Sequence, residues 1–236
     1  MNGVGRIPAK YGAQPAQRHR DAGIAQLAAR QHGVVAVTQL RELGLTSRTA
    51  RSRVATGRLH RLHRGVYAVG HPVISAKGRW MAAVLACGGD AVLSHRSAAA
   101  LWGIRPTTRT AIDVISPRRT GRGRARIEVH RPAGLRADDV TSVDGIPCTT
   151  VARTLLDLAG VVDRRTLERA YEQAEVLRVL DLEAVADVSP AHPAAAVWLP
   201  YLRSYVRATN PPRSPATTSR SDSSPSATPP PYPAHA

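Results

Sequence analysis

The chain has 236 residues, 43% of them hydrophobic, and a formal net charge of +16, so it can fold into one or two domains and favours a polyanionic partner. Its two cysteines, Cys87 and Cys148, exclude a disulfide framework and a CxxC metal knuckle, and we expect buried free thiols. No apolar stretch is long enough to span a bilayer and no secretion signal is recognisable, so we expect a soluble, cytoplasmic protein.

The charge is distributed unevenly along the chain. Residues 1–70 contain 12 arginine and lysine residues against two acidic residues, whereas residues 132–190 contain 6 against 11. Two different partners, or an acidic face packed near a basic one, would both account for this reversal. The N-terminal part is the better candidate for contact with nucleic acid.

The first ordered element is predicted to begin at Asp21. Residues 1–20 lack hydrophobic periodicity and are expected to be a flexible basic arm. Asp21 is a suitable N-cap for a helix that ends near Gly33, and residues 34–37 are predicted to be a short extended linker.

A helix-turn-helix is predicted next. Thr38 can cap a helix over residues 39–43, and Thr46 or Ser47 can cap another over 48–56, with a short turn containing Gly44 between them. Alternating apolar residues then predict two short strands around a basic turn, which is typical of a wing. We assign residues 21–73 to a winged helix-turn-helix that binds double-stranded DNA.

The predicted DNA-contacting residues lie on the second of these helices and on the wing. A helical wheel places Ala50 and Val54 towards the core, which turns polar and basic residues outwards or to the flanks. Arginine can bridge guanine O6 and N7, and hydroxyl groups can reach base edges or phosphates. The candidates are Arg48, Thr49, Arg51, Ser52, Arg53, Arg58, Arg61 and Arg64.

Residues 74–190 are predicted to form a second domain of helices around a small antiparallel sheet, which makes the fold class α+β. Helices are expected over 77–87, 95–102, 151–159 and 166–180, and strands over 111–116, 126–130 and 139–143. An arginine-rich loop, 117–124, joins the first two strands. Residues 191–236 are rich in Pro and Ser and are expected to be a disordered tail.

The last predicted helix carries two opposed stripes. Leu167, Ala170, Tyr171, Ala174 and Leu177 form an apolar stripe, and Glu168, Glu172 and Glu175 lie opposite it. The acidic stripe is either an ordinary solvated face or a docking surface for a basic partner.

Three groups of residues are candidates for chemical sites. His60 and His63 are three apart on a strand and should not converge on a metal. Ser94 next to His95 lacks a nucleophile elbow, so Ser94 is better explained as a helix cap.

The third group comprises Asp113 on one strand with Glu128 and His130 on the next, an arrangement that can hold Mg²⁺ in a nuclease. The simpler interpretation is a two-stranded hairpin with a polar solvent face. We therefore predict no catalytic residue, metal or cofactor.

The chain resembles a known family in two stretches. The run AQLAARQHGVVAVTQLRELGLTSRTARSRVATGRLHRLHRGVYAVG resembles the winged-helix domain of AbiEi-type antitoxins. The later motifs GRWMAAVLACGGDAVLSHRSAAALWGI, IDVISPRR, IEVHRP and DGIPCTTVARTLLDLA resemble the second domain of their actinobacterial relatives. The resemblance implies a DNA-binding regulator that represses its own operon and counters a nucleotidyltransferase toxin; the chain itself contains no recognisable nucleotidyltransferase.

An alternative function follows from the tail. Longer relatives continue into a domain resembling very-short-patch-repair endonucleases, which this chain replaces with its Pro/Ser-rich segment. The alternative is therefore a truncated or frameshifted relative of a winged-helix-targeted DNA endonuclease. A linker that evolved as such is the competing explanation, and the nucleotide sequence downstream would distinguish them.

Overall fold

The computed structural model describes residues 15–117, 125–131 and 134–187. Helices and strands are mixed throughout, which confirms the predicted α+β class. The expected tail, most of the expected arm and nearly all of the arginine-rich loop lie outside the described residues. Among the described residues, no helix is long and apolar enough to cross a bilayer.

The N-terminal elements follow the order of a winged helix. They are α1 (Pro15–Arg30), β1 (Val34–Ala36), α2 (Val37–Glu42), α3 (Ser47–Ala55), β2 (Leu59–His63) and β3 (Val66–Val69). The three strands form one antiparallel sheet in the order β1-β3-β2. The stretch predicted as a linker is therefore largely a strand, because Val34 and Val35 are fully buried against the sheet and helices.

Helix α1 begins at Pro15 rather than at Asp21, so residues 15–20 are helical and not part of an arm. Proline suits the first turn of a helix, where a backbone N–H has no intrahelical acceptor. Asp21 is not a cap: its carboxylate pairs with the guanidinium of Arg53 on α3. The ion pair joins α1 to α3.

The helix-turn-helix is formed by α2 and α3. Thr46 is the N-cap of α3, and its hydroxyl accepts a hydrogen bond from the Thr49 N–H at 3.2 Å. Gly44 has a φ of +79°, which allows the tight turn between the helices. Ala50 is buried as predicted, but Val54 is 37% exposed and the prediction for it is wrong.

The remaining elements surround a five-stranded sheet. They are α4 (Ala76–Cys87), β4 (Val92–Leu93), α5 (His95–Leu101), β5 (Ile112–Ile115), β6 (Ile127–His130), a 3-10 helix (Ala137–Asp139), β7 (Val140–Val143), β8 (Ile146–Thr149), α6 (Val151–Ala159), α7 (Arg164–Val176) and α8 (Leu182–Asp187). The strand order is β6-β5-β4-β8-β7.

This sheet is mixed rather than antiparallel throughout. The β4–β5 and β7–β8 pairs are antiparallel, whereas β5–β6 and β4–β8 are parallel. The hairpin expected for β5 and β6 is therefore wrong. The connection between them is about a dozen residues long, which is enough for a crossover between parallel strands.

Helix α4 packs against both sheets. Its Met81 and Val84 belong to one buried cluster with Val34 of the first sheet and with Leu93 and Cys148 of the second. Polar contacts join the same two parts: His32 Nε2 lies 2.8 Å from the Asp144 carbonyl oxygen in the β7–β8 turn. The core is thus continuous across residues 73 and 74, where the sequence predicts a domain boundary. The division into two domains at that point stays a prediction.

Both cysteines are buried and neither is part of a disulfide, as expected. Burial raises the pKa of the Cys148 thiol to about 11. The thiol therefore stays protonated near neutral pH and packs as a small apolar group.

A buried ion cluster connects α6 to the 3-10 helix. The Arg153 side chain is 1% exposed, and its Nε donates to Asp157 Oδ1 at 2.9 Å. Its Nη1 donates to Asp139 Oδ2 at 3.2 Å and to the Gly134 carbonyl oxygen at 3.3 Å. The cluster fixes α6, whose apolar side chains fill the adjacent core.

The apolar stripe of α7 is largely confirmed. Leu167, Ala170, Tyr171 and Ala174 are buried, whereas Leu177 is 42% exposed because the helix ends at Val176. On the acidic side, Glu168 accepts a hydrogen bond from Arg164 Nε at 2.9 Å.

Candidate nucleic-acid interface

The outward side of α3 carries four of the predicted residues. Arg48, Thr49, Arg51 and Ser52 are exposed. Within the described part of the chain, the Arg48 side chain forms no hydrogen bond or ion pair. Arg48 and Ser52 are four residues apart and therefore project from the same side of the helix.

Two of the exposed residues are held by local hydrogen bonds. Thr49 Oγ1 lies 2.9 Å from Thr46 Oγ1, so this hydroxyl takes part in the cap of α3. Arg51 Nε donates to the Ser47 carbonyl oxygen at 3.3 Å, which leaves the terminal nitrogens of the guanidinium for another acceptor.

Arg53 faces α1 and not the solvent. Its side chain is only 11% exposed and pairs with Asp21. The wheel placed Arg53 on a flank and Val54 inwards, and the structure reverses these two positions. Because its charge is balanced inside the protein, Arg53 is expected to stabilise the helix-turn-helix and not to contact DNA.

The wing presents three exposed arginines. Arg58 precedes β2, Arg61 lies on β2 opposite Tyr67, and Arg64 lies in the turn before β3. No hydrogen bond or ion pair from these side chains occurs among the residues described. Their charges are thus accessible to a polyanion, as the charge of a wing must be to bind phosphates.

The wing turn is attached to the helix-turn-helix. The Val37 N–H, at the start of α2, donates to the Gly65 carbonyl oxygen at 2.7 Å. Gly65 has a φ of +79°, and a Cβ added there would lie 3.2 Å from Val37 Cγ1. The position therefore favours glycine for two reasons, backbone conformation and limited space.

Replacing Gly65 with alanine should lower the free energy of unfolding by about 1–2 kcal/mol for the left-handed backbone alone, with a further cost from the contact with Val37. Gly57→Ala is a matched control, because Gly57 has a φ of +69° but nothing within 4 Å of an added Cβ. Urea denaturation would measure the free energies of unfolding of both variants. A smaller loss for Gly65→Ala than for Gly57→Ala would contradict the close contact.

A second group of polar residues lies on the five-stranded sheet. Asp113 on β5 lies opposite Glu128 on β6, and His130 follows two residues later on the same strand. Asp113 is 1% exposed, and its Oδ1 lies 2.9 Å from His130 Nε2. Glu128 Oε2 accepts a hydrogen bond from Arg109 Nη2 at 2.8 Å.

His95 joins this group, which the sequence did not indicate. Its ring stacks on that of His130, with centroids 3.7 Å apart and an interplanar angle of 20°. Ser94 occupies the N-cap position of α5 as predicted, but its hydroxyl does not cap the helix. It lies 2.9 Å from His95 Nδ1 instead.

Comparison with known proteins identifies the family. Residues 24–70 match the profile described as "Transcriptional regulator, AbiEi antitoxin", and residues 90–202 match the "AbiEi antitoxin C-terminal domain". No curated protein matches the chain significantly. The crystal structure of the RV2827C protein from Mycobacterium tuberculosis is similar, with 17% identity and a TM-score of 0.49 over 79% of this chain and 76% of that chain.

The two matched regions follow one another and together include both sheets described above. The first contains the helix-turn-helix and wing, and the second contains the five-stranded sheet with helices α5 to α8. The chain belongs to the AbiEi antitoxin family of transcriptional regulators.

Proposed function

We propose that this protein is a transcriptional regulator that binds double-stranded DNA through α3 and the wing. The observation that carries the proposal is the group of four exposed arginines, Arg48, Arg58, Arg61 and Arg64, which have no partner within the described residues. Unpaired charges on a recognition helix and its wing suit the phosphates of a duplex.

The four arginines are expected to play two roles. Arg48 lies near the N-terminus of α3, the part of a recognition helix that enters the major groove, and is placed to contact a guanine. Arg58 and Arg64 lie at the two ends of β2 and Arg61 lies on it, and all three are expected to bind phosphates. Thr49, Arg51 and Ser52 supply further polar contacts on the same helix.

Membership of the family supports a proposal for the target and the partner. We infer that the regulator represses its own operon, as an antitoxin does, and that its partner is a nucleotidyltransferase-type toxin. The protein then acts by binding and not by catalysis. The alternative of an endonuclease relative remains a prediction from the sequence.

Two single substitutions test the DNA-binding mode. Arg48→Ala should reduce discrimination between the operator and unrelated DNA by about 1–3 kcal/mol, because a base contact is lost. Arg61→Ala should weaken binding to both DNAs equally and make the salt dependence shallower by about one unit. Fluorescence anisotropy with the promoter fragment of its own operon and with a scrambled duplex would measure both effects.

Arg169→Ala is the matched control, because Arg169 is exposed on α7 and outside the proposed interface. It should leave both affinities unchanged. If Arg48→Ala and Arg61→Ala behave like this control, α3 and the wing are not the DNA-binding surface.

A further inference from the structure

Asp113, Glu128 and His130 bring three metal-ligating side chains together on one face of the five-stranded sheet. Residues that are opposite each other on neighbouring strands, or two apart on one strand, share a face. One ligand atom of each lies within 4.8 Å of those of the other two. A single cation can contact three ligand atoms that are this close after small side-chain rotations.

An unsatisfied buried atom lies within the same group. Asp113 Oδ1 faces His130, but Asp113 Oδ2 is buried and has no hydrogen-bond partner within the described part of the chain. A carboxylate oxygen removed from water without a partner costs free energy. A bound cation would supply that partner.

The surroundings fit a site with an open position. His95 stacks on His130 and restricts the orientation of its ring. The Glu128 side chain is 46% exposed, and its carboxylate forms an ion pair with Arg109. The Glu128 carboxylate can therefore turn towards a cation from the solvent side. Solvent at that side would complete the coordination.

We propose that Asp113, Glu128 and His130 bind a divalent transition-metal cation such as Zn²⁺ or Mn²⁺. Two carboxylate oxygens and one imidazole nitrogen are ligands that these ions accept, and three protein ligands leave a coordination position for water. The imidazole favours these ions over Mg²⁺ and Ca²⁺, which prefer oxygen ligands throughout. The site is separate from the proposed DNA-binding residues, and its existence does not depend on them.

Isothermal titration of the full chain with ZnCl₂ tests the proposal. Wild type should bind Zn²⁺, and Glu128→Gln should weaken that binding at least tenfold because a charged ligand is lost. Glu172→Gln is the matched control, because Glu172 is exposed on α7 and is not one of the three proposed ligands. The same change at this position should leave the affinity for Zn²⁺ unchanged. Glu128 is half exposed, so its variant is expected to fold.

Asp113→Asn and the thermal melting temperature provide a second measurement. Zn²⁺ should raise the melting temperature of wild type, since a ligand that binds the folded state stabilises it. The increase should be lost in Asp113→Asn and in Glu128→Gln. Absence of binding by wild type, or equal binding by wild type, Glu128→Gln and Glu172→Gln, would overturn the proposal.

Discussion

Replacing Arg153 with alanine should lower the free energy of unfolding by about 3–5 kcal/mol. Arg153 balances the charges of Asp139 and Asp157 inside the protein, where its own side chain is 1% exposed. Removing one partner of a buried ion pair leaves the other charge without compensation in a medium of low polarity, and this costs about 3–5 kcal/mol. The loss of packing around the long side chain of arginine adds to the effect.

Chemical denaturation in urea, followed by circular dichroism, would measure the change in stability. Arg169→Ala removes the same side chain from an exposed position on α7 and should change the stability by less than about 0.5 kcal/mol. If Arg153→Ala is as stable as this control, the ion cluster does not contribute to the fold as described.

Binding to duplex DNA should depend steeply on salt. Each phosphate neutralised by a basic side chain changes the slope of log K against log salt by about −0.9. Phosphate contacts from Arg51, Arg58, Arg61 and Arg64 would give a slope of about −3.6, which is a loss of affinity of about 150-fold between 50 and 200 mM salt.

The triple variant Arg58→Ala, Arg61→Ala, Arg64→Ala separates the wing from the helix. Its slope should be shallower by about three units, because three phosphate contacts are removed. Anisotropy titrations at several salt concentrations would measure the slopes, with the Arg169→Ala protein for comparison. An affinity for DNA that does not change with salt would contradict an interface built on these arginines.

The sequence predicts best the elements that have strong local features. The cap at Thr46 defines where α3 begins, and its hydroxyl accepts a hydrogen bond from the Thr49 N–H within the first turn. The apolar stripe of α7 repeats at helical spacing, so its buried side was correctly assigned. Local chemistry is sufficient in these cases.

Elements that depend on distant partners were not predicted. β1 and β4 contain three and two residues, too few to show an alternating pattern, and they are strands because their neighbours in the sheet are close. The predicted strands do not include β8 (Ile146–Thr149). The parallel pairing of β5 with β6 is decided by the path of the connection, which residue types do not reveal.

The candidate interface was predicted in part for the same reason. A helical wheel gives the angles between side chains on α3 but not the rotation of the helix against the rest of the protein. Contact between Arg53 and Asp21 on α1 fixes that rotation, and it turns Val54 outwards. Arg48 is exposed both in the rotation that the helical wheel assumes and in the rotation of the structure. The position of Arg53 differs between these two rotations of α3.

The position of α4 has a thermodynamic consequence. One helix supplies apolar side chains to a core that contains Val34 and Val66 on one side and Leu93 and Cys148 on the other. Removing it would expose the inner faces of both sheets to water, so neither sheet keeps its full stability without the other. The N-terminal winged helix is therefore energetically coupled to the rest of the chain, so a ligand that stabilises the five-stranded sheet should also change how firmly α3 is held.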